Sequence, residues 1–312
     1  MTTPVCKVCL DPVRTGDAYH RRCAQRLFGS ARVPIIEVEQ AKLHTLAGVM
    51  VEHTSISGTE RKISLGFTQD RARLRVPEIG GEYILKPQTG TYPSLPENEH
   101  LTMQLGALFG LEIPPCGLVT LDDRSLAYIV ARFDRSKGGR KLRQEDFCQL
   151  AVKSPKEKYT GSAELCARLI RHYSGQPGVD LLKLYRQWVF SWWAGNGDLH
   201  LKNLALLSPP AGSPDRLYRL SPAYDLLCTR LVIDDDPMAL PMGGRDRRFS
   251  RASWIAFARY CDIPIRAADR ILAHPRHLAD RAKQLVQRSY LPEPMKQAYT
   301  LLLQERGEAL IP

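Results

Sequence analysis

No stretch of this 312-residue chain approaches the roughly 18 consecutive apolar residues that a membrane-spanning helix needs. The opening residues, MTTPVCKVCLDP, lack the basic segment followed by an apolar one that marks a secretory leader, so the expectation is a soluble, cytoplasmic protein with no membrane partner. Cysteine is also scarce: eight in a chain of this length, irregularly placed, exclude a small disulfide scaffold. Five of them (Cys116, Cys148, Cys166, Cys228 and Cys261) sit singly in apolar patterns and read as core thiols. There is no internal repeat, which argues against a solenoid. A glycine-rich phosphate loop is missing as well.

What the chain does have is apolar residue in quantity, 44%, enough for a sizeable core. Its length exceeds the usual single-domain size, so two lobes sharing an interface are expected. A formal net charge of +11 biases it toward acidic partners such as nucleotides, nucleic acid or acidic proteins, without choosing among them.

Residues 1–32 carry CKVC and YHRRC and read as a small self-contained knuckle. Short β-type runs follow to residue 133: VEHTSIS, RKISLGFT, RARLRVP, GEYILKP, GLVTLDD and LAYIVARFD. Between them Leu101, Leu105, Leu108 and Leu111 recur near a 3.6 period, which predicts one helix starting after the Pro93 to Pro96 loop. From residue 134 to 312 the pattern is helical, in QEDFCQLAV, SAELCARLIRHYS, LLKLYRQWVFSWWAG, RASWIAFARYC and a terminal pair split by LPEP. LALLSPPAGSPDRLYRLSPAYDLL interrupts it as a hairpin, and RSKGGRKLRQ reads as a solvated connection between lobes. Trp188, Trp192 and Trp193 follow helical spacing and are expected in the core.

GNGDLHLKN, residues 195–203, places a polar cluster directly after that tryptophan-rich run. Asp198 and Asn203 stand in the Asp-x4-Asn spacing that lets one Asp accept a hydroxyl proton while one Asn holds a magnesium ion in phosphoryl transfer. That spacing alone is weak. Asp225 follows beyond the hairpin, in the order of a second metal-binding carboxylate. Upstream, Lys86 lies on a strand-like run where an ammonium could reach phosphates, and Glu97 and Glu99 on the next helix are its candidate partners. HTSISGTERK, with its hydroxyls and Gly58, is a poor but correctly ordered phosphate loop. Together, sheet half first and helical half second, these features predict an α+β, two-lobed, protein-kinase-like fold with a sheet-rich N-lobe and a mostly helical C-lobe.

The pieces ILKP, ENEHLTMQLGALFGLEIP, ARFDR, LRQEDFCQ, GNGDLHLKNLALL, LSPAYDLL and MGGRDRRF occur in this order, and with them the chain resembles the HipA family of bacterial serine/threonine kinases, toxin components of toxin–antitoxin modules. The resemblance implies ATP and Mg²⁺ as cofactors, Asp198 as the catalytic residue, Asn203 and Asp225 as magnesium ligands, and Lys86 as the phosphate-binding lysine. It implies an adenine-contacting hinge at Ala131, Arg132 and Phe133. Ser57 and Gly58 would lie in the nucleotide loop, and His200 and Lys202 near the terminal phosphates, although loop ordering is an equal reading for His200. The length of the chain resembles the short HipT type, whose missing subdomain is a separate small HipS-like protein. That type carries an autophosphorylated Ser-x-Ser pair, which falls here on Ser55 and Ser57. The family's partners are a helix-turn-helix HipB-like antitoxin, through which DNA is bound indirectly, and an aminoacyl-tRNA synthetase substrate.

Cys6, Cys9, His20 and Cys23 form C-x2-C-x10-H-x2-C, two close pairs able to converge on a tetrahedral Zn²⁺. A reduced thiol cluster packed on the N-lobe is the competing reading. Two functional alternatives stand beside the protein kinase: a small-molecule kinase related to aminoglycoside phosphotransferases, and a catalytically silent, basic scaffold of a DNA complex. IDDDP, residues 233–237, reads as a solvated acidic turn, and GGRDRRFSR as a surface hairpin or a basic docking patch.

Overall fold

A computed structural model of the chain describes residues 4–38, 62–135, 140–209 and 217–310. Ser55, Ser57 and Gly58 lie outside the described residues. So does the run VEHTSIS.

The first half builds a six-stranded sheet in the order β1-β3-β2-β4-β6-β5. Its strands are β1 (Ile35–Glu37), β2 (Ile63–Phe67), β3 (Arg73–Arg75), β4 (Tyr83–Pro87), β5 (Cys116–Thr120) and β6 (Leu126–Ala131). All neighbours are antiparallel except β1 and β3. Alternation explains the pairing: Ile63, Leu65, Leu85 and Ile129 are buried and line the face that packs on helix α1 (Arg21–Phe28). The strand β1 was not expected from the sequence.

The knuckle does not stand apart. Cys6, Val8, Cys23, Leu27 and Phe28 share one apolar cluster with Leu65, Leu85 and Ile129 of the sheet.

Helix α2 (Leu95–Phe109) crosses from the sheet to the helical half. It begins within the proline-bearing stretch rather than after it: Pro96 stands in the first turn, where its missing N–H costs no helical bond. Asn98, Glu99, His100, Leu101, Thr102, Met103 and Leu105 are all buried, so both faces of the helix are covered. Polar groups inside must then be paired. Asn98 Nδ2 donates to the Cys228 carbonyl at 2.9 Å and its Oδ1 accepts the Cys228 N–H at 3.0 Å. Thr102 Oγ1 meets the Tyr299 hydroxyl at 2.9 Å.

The second half is helical: α3 (Phe147–Leu150), α4 (Ala163–Tyr173), α5 (Pro177–Trp193), α6 (Arg251–Tyr260), α7 (Ile265–Arg288) and α8 (Glu293–Ala309). Trp188, Trp192 and Trp193 of α5 are buried as expected, and the Trp193 indole donates to the Leu303 carbonyl at 2.9 Å. The five single cysteines are buried too. The expected hairpin is present as β8 (Ala205–Leu207) against β9 (Arg219–Leu220). A third strand, β7 (Gln144–Asp146), joins it where a helix was expected. Asp146 causes the switch: its side chain accepts the Gln149 N–H while Gln149 caps Asp146, so the helix starts only at Phe147.

Asn98→Ala is expected to strand the buried Cys228 N–H and C=O together, at a cost of about 2–6 kcal/mol from roughly 1–3 per group. Urea denaturation of the wild type and variant measures it; a loss below about 0.5 kcal/mol would show that these bonds do not hold α2 to the helical half.

Candidate functional site

Lys86 enters the interior because β4 is a central strand, paired with β2 on one side and β6 on the other. Its residue exposure is only 4%. The ammonium sits 2.6 Å from Glu99 Oε1 of α2 and 2.8 Å from Asp225 Oδ1. Of the two candidate partners, Glu99 is therefore the one that pairs. Glu97 is not: its Oε2 is buried with no hydrogen-bond partner among the described residues, and burial raises its pKa.

Asp225 is held in a left-handed backbone conformation, φ 54°, and its carboxylate meets Lys86 of β4. Burial pushes its carboxyl up, but Lys62 and Lys86 together outweigh that and hold it well below the usual carboxylate range. Lys62 Nζ lies 2.6 Å from Asp225 Oδ2. Nothing in the sequence singled out Lys62, because its partner is far along the chain.

The loop after α5 is set by two glycines. Gly195 adopts φ 75°, and a Cβ there would press on Cys228 Sγ at 2.8 Å. At Gly197 a Cβ would collide with the Asp236 carboxylate and stand 2.5 Å from the Pro237 carbonyl oxygen. Asp236 is thus half-buried beside the loop, bonded by Thr229 Oγ1, whereas Asp235 of the same acidic run is exposed and pairs with Arg230 and Arg247. Only part of that run behaves as a solvated turn.

Asp198 Oδ1 accepts the Tyr159 hydroxyl at 2.7 Å, and its N–H donates to Asn196 Oδ1 at 3.1 Å. Asn203 Nδ2 donates to the Asp198 carbonyl at 2.9 Å, which commits the donor end of the amide and leaves its oxygen as the acceptor end. Lys202 Nζ lies 2.6 Å from Asp146 Oδ2, and the Tyr224 hydroxyl donates to the Lys202 carbonyl at 2.8 Å. Tyr224 in turn packs on Phe133, ring centroids 5.2 Å apart, so the segment just past β6 and the residue before Asp225 are in contact. Arg132 pairs with Asp134 at 2.7 Å rather than facing this site alone, and the Ala131 N–H donates to the Pro115 carbonyl.

Burial pushes the His200 imidazole down to about 3, with Lys158 adding to the effect. The ring is neutral at pH 7 and packs edge-on to Tyr159 at 5.2 Å. That favours loop ordering over phosphate binding. A cleft of about 800 Å³ opens beside Asp198, lined by Lys156, Lys158, Tyr159, Gly197 and Asp246 among others. It lies to one side of Lys86 and Asp225, which do not line it.

Away from this cleft, the ligand atoms of Cys6, Cys9, His20 and Cys23 all fall within 4.8 Å of one another.

The α+β architecture, a curled sheet joined to a helical half, is a protein-kinase-like fold, and a buried Lys–Glu pair faces a carboxylate where the halves meet. The fold matches HipA of Shewanella oneidensis, solved with HipB and its operator DNA, at a TM-score of 0.72 and 19% identity over 87% of this chain and 70% of that one. It also matches the Helicobacter pylori proinflammatory kinase CtkA, at a TM-score of 0.53 and 15% identity over 74% and 88%. Residues 54–287 match the HipA-like C-terminal domain, and the chain belongs to that family. Among curated relatives, the putative kinase Y4mE of Sinorhizobium fredii is 31% identical over 229 residues, 70% of this chain and 53% of the relative. A putative kinase of Haemophilus influenzae is 26% identical over 260 residues, 77% and 74% respectively. The chain spans about half the length of Y4mE and of the similar Sinorhizobium fredii protein Y4dM. No helix among the described residues is long and apolar enough to cross a membrane.

The folded pKa of His200 lies below its unfolded value near 6.5, so the unfolded chain takes up the proton first as pH falls. Stability is expected to decline from about pH 6.5 toward pH 3, by up to about 1.4 kcal/mol per pH unit from this group. In His200→Gln that component disappears. Denaturation of both proteins at pH 7 and pH 5 measures the difference, and equal pH slopes would contradict a buried neutral imidazole.

Proposed function

We propose that this chain is an ATP-dependent serine/threonine protein kinase, the toxin component of a toxin–antitoxin pair. The observation that carries the reading is the buried Lys86 ammonium held between Glu99 and Asp225. An ion cluster of this kind in a lobe junction costs desolvation, and its geometry suits the phosphate-binding lysine of a phosphoryl-transfer site. The family membership and the kinase names of the relatives agree with it.

The donor set fits magnesium: an ionised carboxylate at Asp225 and the acceptor end of the Asn203 amide are hard oxygen ligands. Bound there, Mg²⁺ would neutralise charge on the phosphates. Lys86 would pair with phosphate oxygens while Glu99 keeps its ammonium in place. Asp198, oriented by the Tyr159 hydroxyl, would align the acceptor hydroxyl and take its proton. Ala131 to Phe133 would border the adenine, and this stretch would mark the boundary between residues 33–133 and 134–312. Lys202, tied to Asp146, would contribute positive charge near the phosphates.

The DNA-bound HipA–HipB assembly of the Shewanella oneidensis protein supports a helix-turn-helix antitoxin as partner, with DNA reached through it. The resemblance supports the finer reading: a HipT-type kinase with a small HipS-like partner and an aminoacyl-tRNA synthetase as substrate, inhibiting translation in the cytoplasm.

Incubation with γ-labelled ATP, Mg²⁺ and cell extract is expected to label a protein, and Asp198→Asn to lower the rate by about 10²–10⁴-fold without unfolding. Label in a small molecule would favour an aminoglycoside-type acceptor, and unchanged labelling by the variant would contradict the assignment of Asp198. Phosphate is expected on Ser55 or Ser57, where each modified serine would add about two negative charges that compete with nucleotide phosphates and slow transfer. Peptide mass spectrometry after ATP incubation checks this, and both serines found unmodified would overturn it.

A further inference from the structure

We infer that Cys6, Cys9, His20 and Cys23 hold one structural Zn²⁺ that clamps the turn at residues 6–9 against helix α2, and so positions Glu99 for Lys86. The clamp deepens the proposed phosphoryl-transfer site but rests on geometry independent of it.

The cluster is already arranged as a ligand set. Cys9 Sγ lies 3.4 Å and Cys23 Sγ 3.8 Å from His20 Nδ1. His20 Nε2 lies 3.0 Å from the Pro12 carbonyl oxygen, which can only accept, so Nε2 is the nitrogen that carries a proton and Nδ1 is the one turned toward the cysteine sulfurs. This is the backbone-carbonyl contact that fixes the tautomer of a metal-bound histidine. Three sulfurs and one imidazole nitrogen suit tetrahedral Zn²⁺, and four protein ligands leave no open position for catalysis. Binding would displace the protons of three thiols, leaving a site of net charge −1. Arg22 and Arg26 line an opening of about 330 Å³ at Cys9 and Cys23, giving both an entry path and compensating charge.

The same turn is tied to the rest of the molecule. The Leu10 N–H donates to the Cys6 carbonyl at 3.0 Å, closing the loop. From inside that loop the Val8 carbonyl accepts from His100 Nε2 at 2.9 Å, and His100 is the neighbour of Glu99 on α2. The Lys7 carbonyl accepts the Leu118 N–H of β5 at 2.8 Å, where Gly117 leaves no room for a Cβ. On the other side the Tyr290 hydroxyl donates to the Val5 carbonyl at 2.6 Å, and Arg288 pairs with Asp11 at 2.9 Å. The knuckle thus touches the sheet, α2 and the end of α7. An ion that fixes its fold would fix all three contacts, and its loss would leave the buried His100 without a fixed acceptor.

Metal analysis of the purified full-length chain is expected to give about one zinc per molecule. Co²⁺ substitution should give the intense d–d absorption of a tetrahedral, thiolate-rich site. Cys9→Ser and Cys23→Ser should each lose the metal. Hydrogen exchange on the wild-type chain, before and after zinc removal by a mercurial and chelator, should accelerate at least tenfold over residues 98–105. Zinc well below one equivalent even after reconstitution with Zn²⁺ would overturn the site. Stoichiometric zinc with unchanged exchange over residues 98–105 would overturn the clamp. Neither readout uses phosphoryl transfer, so a failed kinase assay leaves both intact.

Discussion

A lysine buried to 4% exposure between two carboxylates is the constraint around which the two halves are arranged. Removing an ammonium from water is costly, and only close, well-placed counter-charges offset it. Glu99 supplies one from α2 and Asp225 supplies the other from the segment that follows the hairpin. Neither carboxylate can move far without leaving the other two groups exposed to the same penalty. The left-handed backbone at Asp225 is tolerated in that setting, since the two lysines that meet its carboxylate fix the direction in which it must point.

Helix α2 carries the arrangement from one half to the other. Its polar residues are distributed by partner rather than by face: Asn98 to the Cys228 backbone, Glu99 to Lys86, His100 to the Val8 carbonyl, Thr102 to Tyr299. A helix placed by four such contacts, in addition to the packing of Leu101, Met103 and Leu105, has little freedom to slide. The glycines of the Asp198 loop serve a similar end. Crowding by Asp236, Pro237 and Cys228 leaves one path for the chain, and that path delivers Asp198 to Tyr159 and Asn203 to the Asp198 carbonyl.

Much of this was legible in the residues. Strand alternation in ISLGF, YILKP and LAYIVA, the leucine period of α2 and the tryptophan-rich α5 each follow from local pattern, and their order predicted the α+β architecture. Lys86, Glu99 and Asp225 were singled out by type and order, and they converge. What pattern could not supply was contact between distant segments. Lys62 meets Asp225 and Tyr159 meets Asp198 only because the tertiary fold brings them there, and no periodicity marks either residue. Strand β7 was read as helix because the capping exchange between Asp146 and Gln149, which delays the helix to Phe147, overrides the helical composition of the run. The knuckle read as self-contained because its spacing is local, while its apolar residues are shared with the sheet.

Under the proposed function, Asp225 and Asn203 together receive a divalent ion that accompanies nucleotide. Electron paramagnetic resonance of Mn²⁺, titrated with and without a non-hydrolysable ATP analogue, tests it most directly. Nucleotide-dependent loss of the free Mn²⁺ signal is expected in the wild-type chain, and is expected to be abolished in folded Asp225→Asn and in Asn203→Ala. Nucleotide-dependent Mn²⁺ binding of equal strength in both variants would contradict it.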